Sequence, residues 1–217
     1  MSTSNLRKKF LEAFPEETME LTEMEGNISN IILQSFSKGH TVDINSIAKS
    51  VNLPEIEVKK IIKSWSGVYF NNRGNIDSYW GLTTRKTKHR FQIGNITLYN
   101  WCSWDSLFIP RLIDKTAQIE STDPLSGDII RLTISPKSGI VEIEPEESVV
   151  SFIVPNTEDM RENVIQNLCS YIHFFTSEKS AQEWLSETIH SNNSFILSVQ
   201  EAHELGLEKN KIRYEHK

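Results

Sequence analysis

Cysteine is scarce here. Cys102 and Cys169 are the two in 217 residues, too few for a disulfide framework or for a closed thiolate zinc site. No Cys-x-x-Cys or His-Glu-x-x-His spacing brings in further ligands to complete one. Long apolar runs are also missing, and nothing approaches the roughly 18 residues that span a bilayer. The first ten residues carry Arg7, Lys8 and Lys9 with no apolar stretch behind them, so a secretory signal is not expected. The expectation is a cytoplasmic location with both thiols reduced and no membrane partner. Positive charge is in deficit, 23 Lys+Arg against 29 Asp+Glu for a net charge of −6, which argues against a general nucleic-acid binder. Gly-rich phosphate loops, a Gly-x-Ser-x-Gly elbow, internal repeats and low-complexity tracts are absent, so nothing points to nucleotide chemistry. What is present, 38% hydrophobic and 24% charged residues, is an ordinary soluble globular composition, long enough for one sizeable core or two small ones.

Charge is uneven along the chain. Through Arg85 there are 10 Lys+Arg and 10 Asp+Glu, and the remainder carries 13 against 19. Residues 1 to about 25, with Glu12, Glu16, Glu17, Glu20, Glu23 and Glu25, read as a helix and a lead-in. Ile28, Ile31, Ile32 and Phe36 recur at helical spacing, with Gly39 as the C-cap. Asp43 caps a second helix through Ile44, Ile47 and Ala48 to Val51-Asn52, and Pro54 sits in the first turn of a third through Val58, Ile61, Ile62 and Trp65. Val68 to Phe70, the turn Asn71 to Asn75 and Ile76 to Leu82 read as a hairpin. Three helices and a hairpin make a winged-helix-like pattern over residues 1–85, whose third helix would enter a DNA groove. That helix sets Glu55 and Glu57 against Lys59, Lys60 and Lys63, and the segment is neutral, so a structural module is expected rather than a DNA reader.

The basic run Arg85 to Arg90 reads as a solvated linker or strand edge at the junction. Residues 86–217 read as a mixed antiparallel-sheet and helix domain carrying both cysteines, which makes the fold class α+β. Its expected strands are Phe91 to Ile93, Ile96 to Tyr99, an antiparallel set from Ala117 to Pro155 turning at Asp123 to Asp128 and at Ser135 to Gly139, and Ile172 to Phe175. Its expected helices follow Tyr99 as far as Ile113, run from Asn163 to Cys169, and close the chain at Ser180 to Ile189 and Ser198 to Leu205.

The chemistry gathers in Leu98 to Pro110, Leu-Tyr-Asn-Trp-Cys-Ser-Trp-Asp-Ser-Leu-Phe-Ile-Pro. If the segment after Tyr99 is helical, Cys102 and Asp105 share a face at i and i+3, placing a proton acceptor beside a nucleophile. A cysteine among aromatics is most often a small buried hydrophobe. The second thiol, Cys169, lies in Asn-Leu-Cys-Ser-Tyr-Ile-His-Phe-Phe, where His173 between Ile172 and Phe174 reads as a hydrogen-bonded core histidine rather than a ligand. None of the six histidines stands out as the base of a papain-like site. Two separated thiols with an adjacent carboxylate do suit a soft, thiophilic metal bound by thiolates, with Asp105 taking the proton as Cys102 binds.

The Trp101-Cys102-Ser103-Trp104-Asp105 segment and the Cys169-Ser170-Tyr171-Ile172-His173-Phe174-Phe175 segment resemble the two cysteine segments of the alkylmercury lyases. Gly81-Leu82-Thr83, Leu132 to Pro136, Ala181 to Trp184 and Val199 to Ala202 fall in step as well, so the likeness covers most of the chain. The resemblance implies a winged-helix-like N-terminal part packed on an α+β catalytic part, and a substrate R-Hg-X cleaved by protonolysis to a hydrocarbon and Hg(II). It makes Cys102 and Cys169 the mercury thiolates and Asp105 the proton shuttle beside the product metal. No cofactor is implied. Low-molecular-weight thiols or a mercuric reductase would take Hg(II) away, since some family members carry additional cysteines while here Ser170 follows Cys169 and the turn at Asp123 has none. A second thiolate on mercury makes the bound carbon more basic, and Asp105 delivers the proton as general acid. Trp101, Trp104, Phe174 and Phe175 would exclude water, or serve simply as core. Two rival readings are a mercury-binding or mercury-sensing protein without turnover and a winged-helix regulator. Asp105 beside Cys102 favours the lyase over the first, and the neutral N-terminal part weighs against the second.

Overall fold

The computed structural model describes residues 2–14 and 21–211; Glu16, Glu17 and Glu20 lie outside them. Helix α1 (Thr3–Glu12) is capped by Ser2 and buries Leu6 and Phe10. Helix α2 (Glu23–Phe36) begins with a capping box between Thr22 and Glu25, which satisfies two of the amide donors that a helix N-terminus leaves bare. Asp43 caps α3 (Ile44–Val51), which ends on Asn52 in the left-handed region, and α4 (Glu55–Ser64) follows Pro54. Pro54 is thus the residue before the helix rather than part of its first turn.

The remaining strands and helices build one large sheet, one small sheet and a buried helix between them. Strands β1 (Val68–Phe70), β2 (Ile76–Tyr79), β3 (Leu82–Thr83), β4 (His89–Ile93), β5 (Ile96–Asn100), β6 (Ala117–Thr122), β7 (Ile129–Ser135) and β8 (Gly139–Glu144) form an eight-stranded sheet in the order β1-β2-β3-β5-β4-β6-β7-β8. Every pairing in it is antiparallel. The β3–β5 pairing, Leu82 opposite Asn100 and Thr83 opposite Tyr99, carries the sheet from the N-terminal hairpin into the strands beyond residue 86. Strand β9 (Val149–Ile153) is the centre of a second antiparallel sheet, flanked by β10 (Phe174–Phe175) and β11 (Ser194–Ser198).

Helix α5 (Ser103–Ile113) buries every residue except Arg111 and lies at the heart of the apolar core. A helix apolar on nearly all sides requires neighbours on all sides. Phe10 from α1 packs edge-on against Trp104, with ring centroids 5.1 Å apart, and against Phe152 of β9 at 5.3 Å. Helices α6 (Thr157–Asn167), α7 (Glu178–Ser186) and α8 (Val199–Lys209) complete the α+β fold. Among the described residues no helix is long and apolar enough to cross a membrane.

The structure also departs from the sequence expectations in several strands and turns. The expected strand Ile76 to Leu82 is two strands, because Trp80 and Gly81 both take positive φ and reverse the chain in a two-residue turn between the Tyr79–Leu82 pair. Two of the six residues of the basic run, His89 and Arg90, belong to β4, where His89 is buried against Ser121 rather than solvated, and Arg85 pairs with the buried Asp77 at 2.7 Å. Cys169 lies in a 3₁₀ turn (Cys169–Tyr171) beyond α6, not in the helix. Strand β11 separates the two closing helices; its Phe-Ile-Leu run is too short to show either period, and pairing with β9 decides it.

Candidate active site

Cys102 does not share a helical face with Asp105, as the spacing suggested. It is the N-cap of α5, in extended backbone with φ −140° and ψ 173°, and the two residues meet through a capping box. The Asp105 amide donates to the Cys102 sulfur, while Asp105 Oδ2 accepts the Cys102 amide at 3.1 Å and the Cys102 thiol at 3.2 Å. A cysteine and an aspartate stand where serine and glutamate commonly do. The geometry that ends a helix cleanly therefore also sets a thiol on a carboxylate.

Cys169 arrives from the other side of the core. The Ser103 amide, one residue past Cys102, donates to the Ile172 carbonyl at 3.3 Å and ties the start of α5 to the turn that carries Cys169. The two sulfurs and an Asp105 oxygen all lie within 4.8 Å of one another, and the three residues are 0%, 4% and 7% exposed for Cys102, Cys169 and Asp105. Both thiols are free. The two sulfurs and one oxygen form a compact donor set for a soft metal.

Burial tunes the pair. Loss of hydration pushes the Cys102 thiol well above its ordinary range, with the neighbouring Cys169 sulfur and the Asp105 charge adding to it. The α5 N-terminus and the Asp105 amide pull the other way and do not overcome it. Burial also lifts Asp105 to about 6, against the positive charge of Lys209 and the hydrogen bonds from Cys102. The thiol therefore keeps its proton until a metal displaces it, and a carboxylate able to accept that proton lies in contact.

The cluster opens into a cavity of about 60 Å³ lined by Trp80, Gly81, Trp101, Trp104, Phe108, Met160 and Lys209, among others. Trp101 and Trp104 stand in its wall. Phe174 and Phe175 do not: they are fully buried in β10, with Phe175 against Trp184 at 5.7 Å, and belong to the core. His173 is likewise structural, donating through Nε2 to the Ser170 carbonyl at 2.8 Å and standing 6.0 Å from the His89 ring. Burial holds these two histidines neutral, His89 down to about 3 and His173 to about 4. The buried atoms Asn100 Oδ1, Trp101 Nε1 and Ser103 Oγ find no hydrogen-bond partner among the described residues. All three flank Cys102, and such groups cost stability that folding alone does not explain.

Sequence reasoning did not assign Gly81 or Lys209 to the site. Gly81 stood only within a stretch of family likeness, and its carbonyl accepts both the Trp101 amide and the Asn100 side-chain amide at 3.1 Å, holding the strand that leads to Cys102. Lys209 lies 104 residues from Asp105, and no local signal links them.

Comparison with known proteins gives one answer. Residues 82–209 match the alkylmercury lyase family model. The alkylmercury lyase of Staphylococcus epidermidis is 35% identical over 175 residues, 81% of this chain and 77% of that protein. The Bacillus cereus alkylmercury lyase is 36% identical over the same shares, and that of Pseudomonas putida is 31% identical over 80% of this chain and 82% of its own. In fold, the chain resembles the crystal structure of the mercury-bound form of MerB2 with a TM-score of 0.76, over 97% of this chain and 100% of that one, at 20% identity.

Proposed function

The chain belongs to the alkylmercury lyase family and cleaves the carbon–mercury bond of organomercurials by protonolysis, and we propose that Cys102, Asp105 and Cys169 are the residues that do so. The observation that carries this assignment is the meeting of two buried thiols and one buried carboxylate within 4.8 Å.

In the proposed sequence, the Cys102 sulfur bonds to mercury in R-Hg-X, X⁻ leaves, and the thiol proton passes to Asp105 across the 3.2 Å contact. Cys169 adds as a second thiolate, its proton leaving with X as HX. Electron density from two sulfurs raises the basicity of the mercury-bound carbon, and Asp105, now protonated, transfers its proton to that carbon. The Hg–C electron pair forms the new C–H bond, R-H departs, and Hg(II) stays between Cys102 and Cys169 with the Asp105 carboxylate beside it. The balance is R-Hg-X plus two thiols giving R-H, HX and a bis-thiolate Hg(II). General acid catalysis contributes typically about 10²- to 10⁴-fold, and holding donor and carbon in contact adds the proximity effect. Mercury is substrate and product, so the reaction as proposed uses no resident cofactor.

With two cysteines in the chain, release of Hg(II) falls to external low-molecular-weight thiols or to a mercuric reductase in the cytoplasm. We read residues 1–85 as a winged-helix-like module and 86–217 as the catalytic part. The order α2, α3, α4 and then the β1–β2 hairpin supports that reading, and Trp80 and Gly81 would give the first part a share in the active-site wall.

The test is hydrocarbon release: purified reduced protein with phenylmercury or methylmercury and excess thiol, benzene or methane followed by gas chromatography. Release is expected from the wild type and lost in Cys102→Ser and in Cys169→Ser. Undiminished release from either variant would remove that thiol from the mechanism.

A further inference from the structure

The cavity over Cys102 has a volume of about 60 Å³. That is room for a methyl group, whereas an apolar cavity that holds benzene measures about 150 Å³. An aryl group bonded to mercury at the thiols therefore requires part of the wall to give way. Much of the wall is fixed: Trp104 Nε1 donates to the Ala202 carbonyl at 2.9 Å, Trp80 Nε1 to Asn210 Oδ1 at 2.6 Å, and the Trp101 amide to the Gly81 carbonyl at 3.1 Å. Met160 differs from these residues. It is 4% exposed, lines the cavity from α6, and is an unbranched chain with three rotatable bonds and no polar group to anchor it. Its backbone is held, since Thr157 Oγ1 donates to the Ala13 carbonyl at 2.9 Å and fastens the start of α6 to the end of α1. The side chain is thus the part that yields. Beyond Met160 the helix is broken at Asn163, whose φ of −157° and ψ of 91° are extended values. A change at Met160 is therefore not transmitted along a continuous helix to Cys169.

We propose that Met160 is a specificity determinant for the size of the organic group, closing on a methyl group and swinging aside for an aryl group. The inference rests on the lyase reading above. Mercury is anchored by the two sulfurs and its carbon must lie within reach of Asp105, so the rest of the organic group occupies the cavity that Met160 bounds. A single methylene more or less in an apolar pocket changes kcat/KM by about 10- to 200-fold, so one side chain of this length suffices to discriminate methyl from phenyl.

The experiment compares kcat/KM for phenylmercury and methylmercury, both with excess thiol, in the wild type, Met160→Ala, Met160→Phe and Met160→Leu. Met160→Ala is expected to raise the phenyl-to-methyl ratio by about tenfold and Met160→Phe to lower it by as much. Met160→Leu, close to methionine in volume, keeps the wild-type ratio. A substitution that merely disturbs the thiols slows both substrates alike and leaves the ratio where it was, so the ratio separates size selection from a structural role. Should Met160→Ala lose its folded circular dichroism signal, Met160→Phe carries the test with the opposite sign. A ratio unchanged by alanine and by phenylalanine overturns the proposal. So does a leucine variant that moves the ratio as far as alanine does, because the effect then belongs to the sulfur and not to size. Cleavage of neither compound by the wild type overturns instead the lyase reading on which it rests.

Discussion

A Cβ on Gly81 would stand 2.3 Å from Cγ of Asp105 and 2.5 Å from its Oδ1, closer than any real side chain approaches another. The carboxyl that touches Cys102 is thus seated directly on bare backbone. Gly81 also holds φ +85°, a region that side-chain-bearing residues rarely adopt.

Gly81→Ala is expected to push Asp105 off the Cys102 thiol. Turnover should fall by at least about tenfold while two-thiol mercury binding survives, and stability should drop by about 1–3 kcal/mol from the strained φ. Steady-state benzene release, a mercury titration and a urea melt read the three quantities. Wild-type kcat in a folded variant would mean that the carboxyl need not sit where it does.

Asp105→Asn leaves an oxygen to accept the Cys102 amide but removes the group that carries the proton. The variant should fold and bind an organomercurial through its thiols, and release hydrocarbon slower by about 10²- to 10⁴-fold. Bound, uncleaved phenylmercury detected by mass spectrometry of the intact protein is the diagnostic species. Full activity would end the shuttle role.

Stability should fall on acidification below neutrality. Between pH 6.5 and about 4 the unfolded chain protonates His89 and His173, while in the fold they resist until about 3 and about 4, so unfolding takes up protons. Each such histidine lowers stability by about 1.4 kcal/mol per pH unit in that window. Asp105 has the opposite sign: the fold protonates it at about 6 and the unfolded chain near 3.8, so acid favours the fold at that one position. His203, whose pKa is lowered mainly by burial, acts with the other histidines. The net effect near pH 5 is that of one or two histidines. Urea midpoints should be lower at pH 5 than at pH 7; equal or higher midpoints would contradict the neutral, buried state of the pair.

Much of the architecture is readable locally because local hydrogen bonds and periodicity create it. Asp43 as a cap, the strands from Ala117 to Val154 and the end of α5 at Ile113 all follow from features within a few residues. Cys102 and Asp105 meet for the same kind of reason, a reciprocal cap spanning three residues, although the thiol precedes the helix instead of riding on it. His173 reads as a core histidine from its apolar neighbours, and its bond to the Ser170 carbonyl agrees.

Other features belong to the tertiary structure because their partners are far apart in sequence. Cys169 reaches Cys102 only through packing of the 3₁₀ turn on the start of α5, fastened by the Ser103 amide on the Ile172 carbonyl. Strand β11 exists because β9 offers an unpaired edge, which no composition of Ser194 to Ser198 announces. The seat of Asp105 on Gly81 and of Lys209 among Phe14, Trp80 and Trp104 likewise depends on close packing between elements. The sequence by itself supplied the reactive groups and one pairwise contact between them. The fold decided that the second thiol, the carboxylate and a charged aromatic wall share one largely apolar cavity, since only long-range packing brings such groups together.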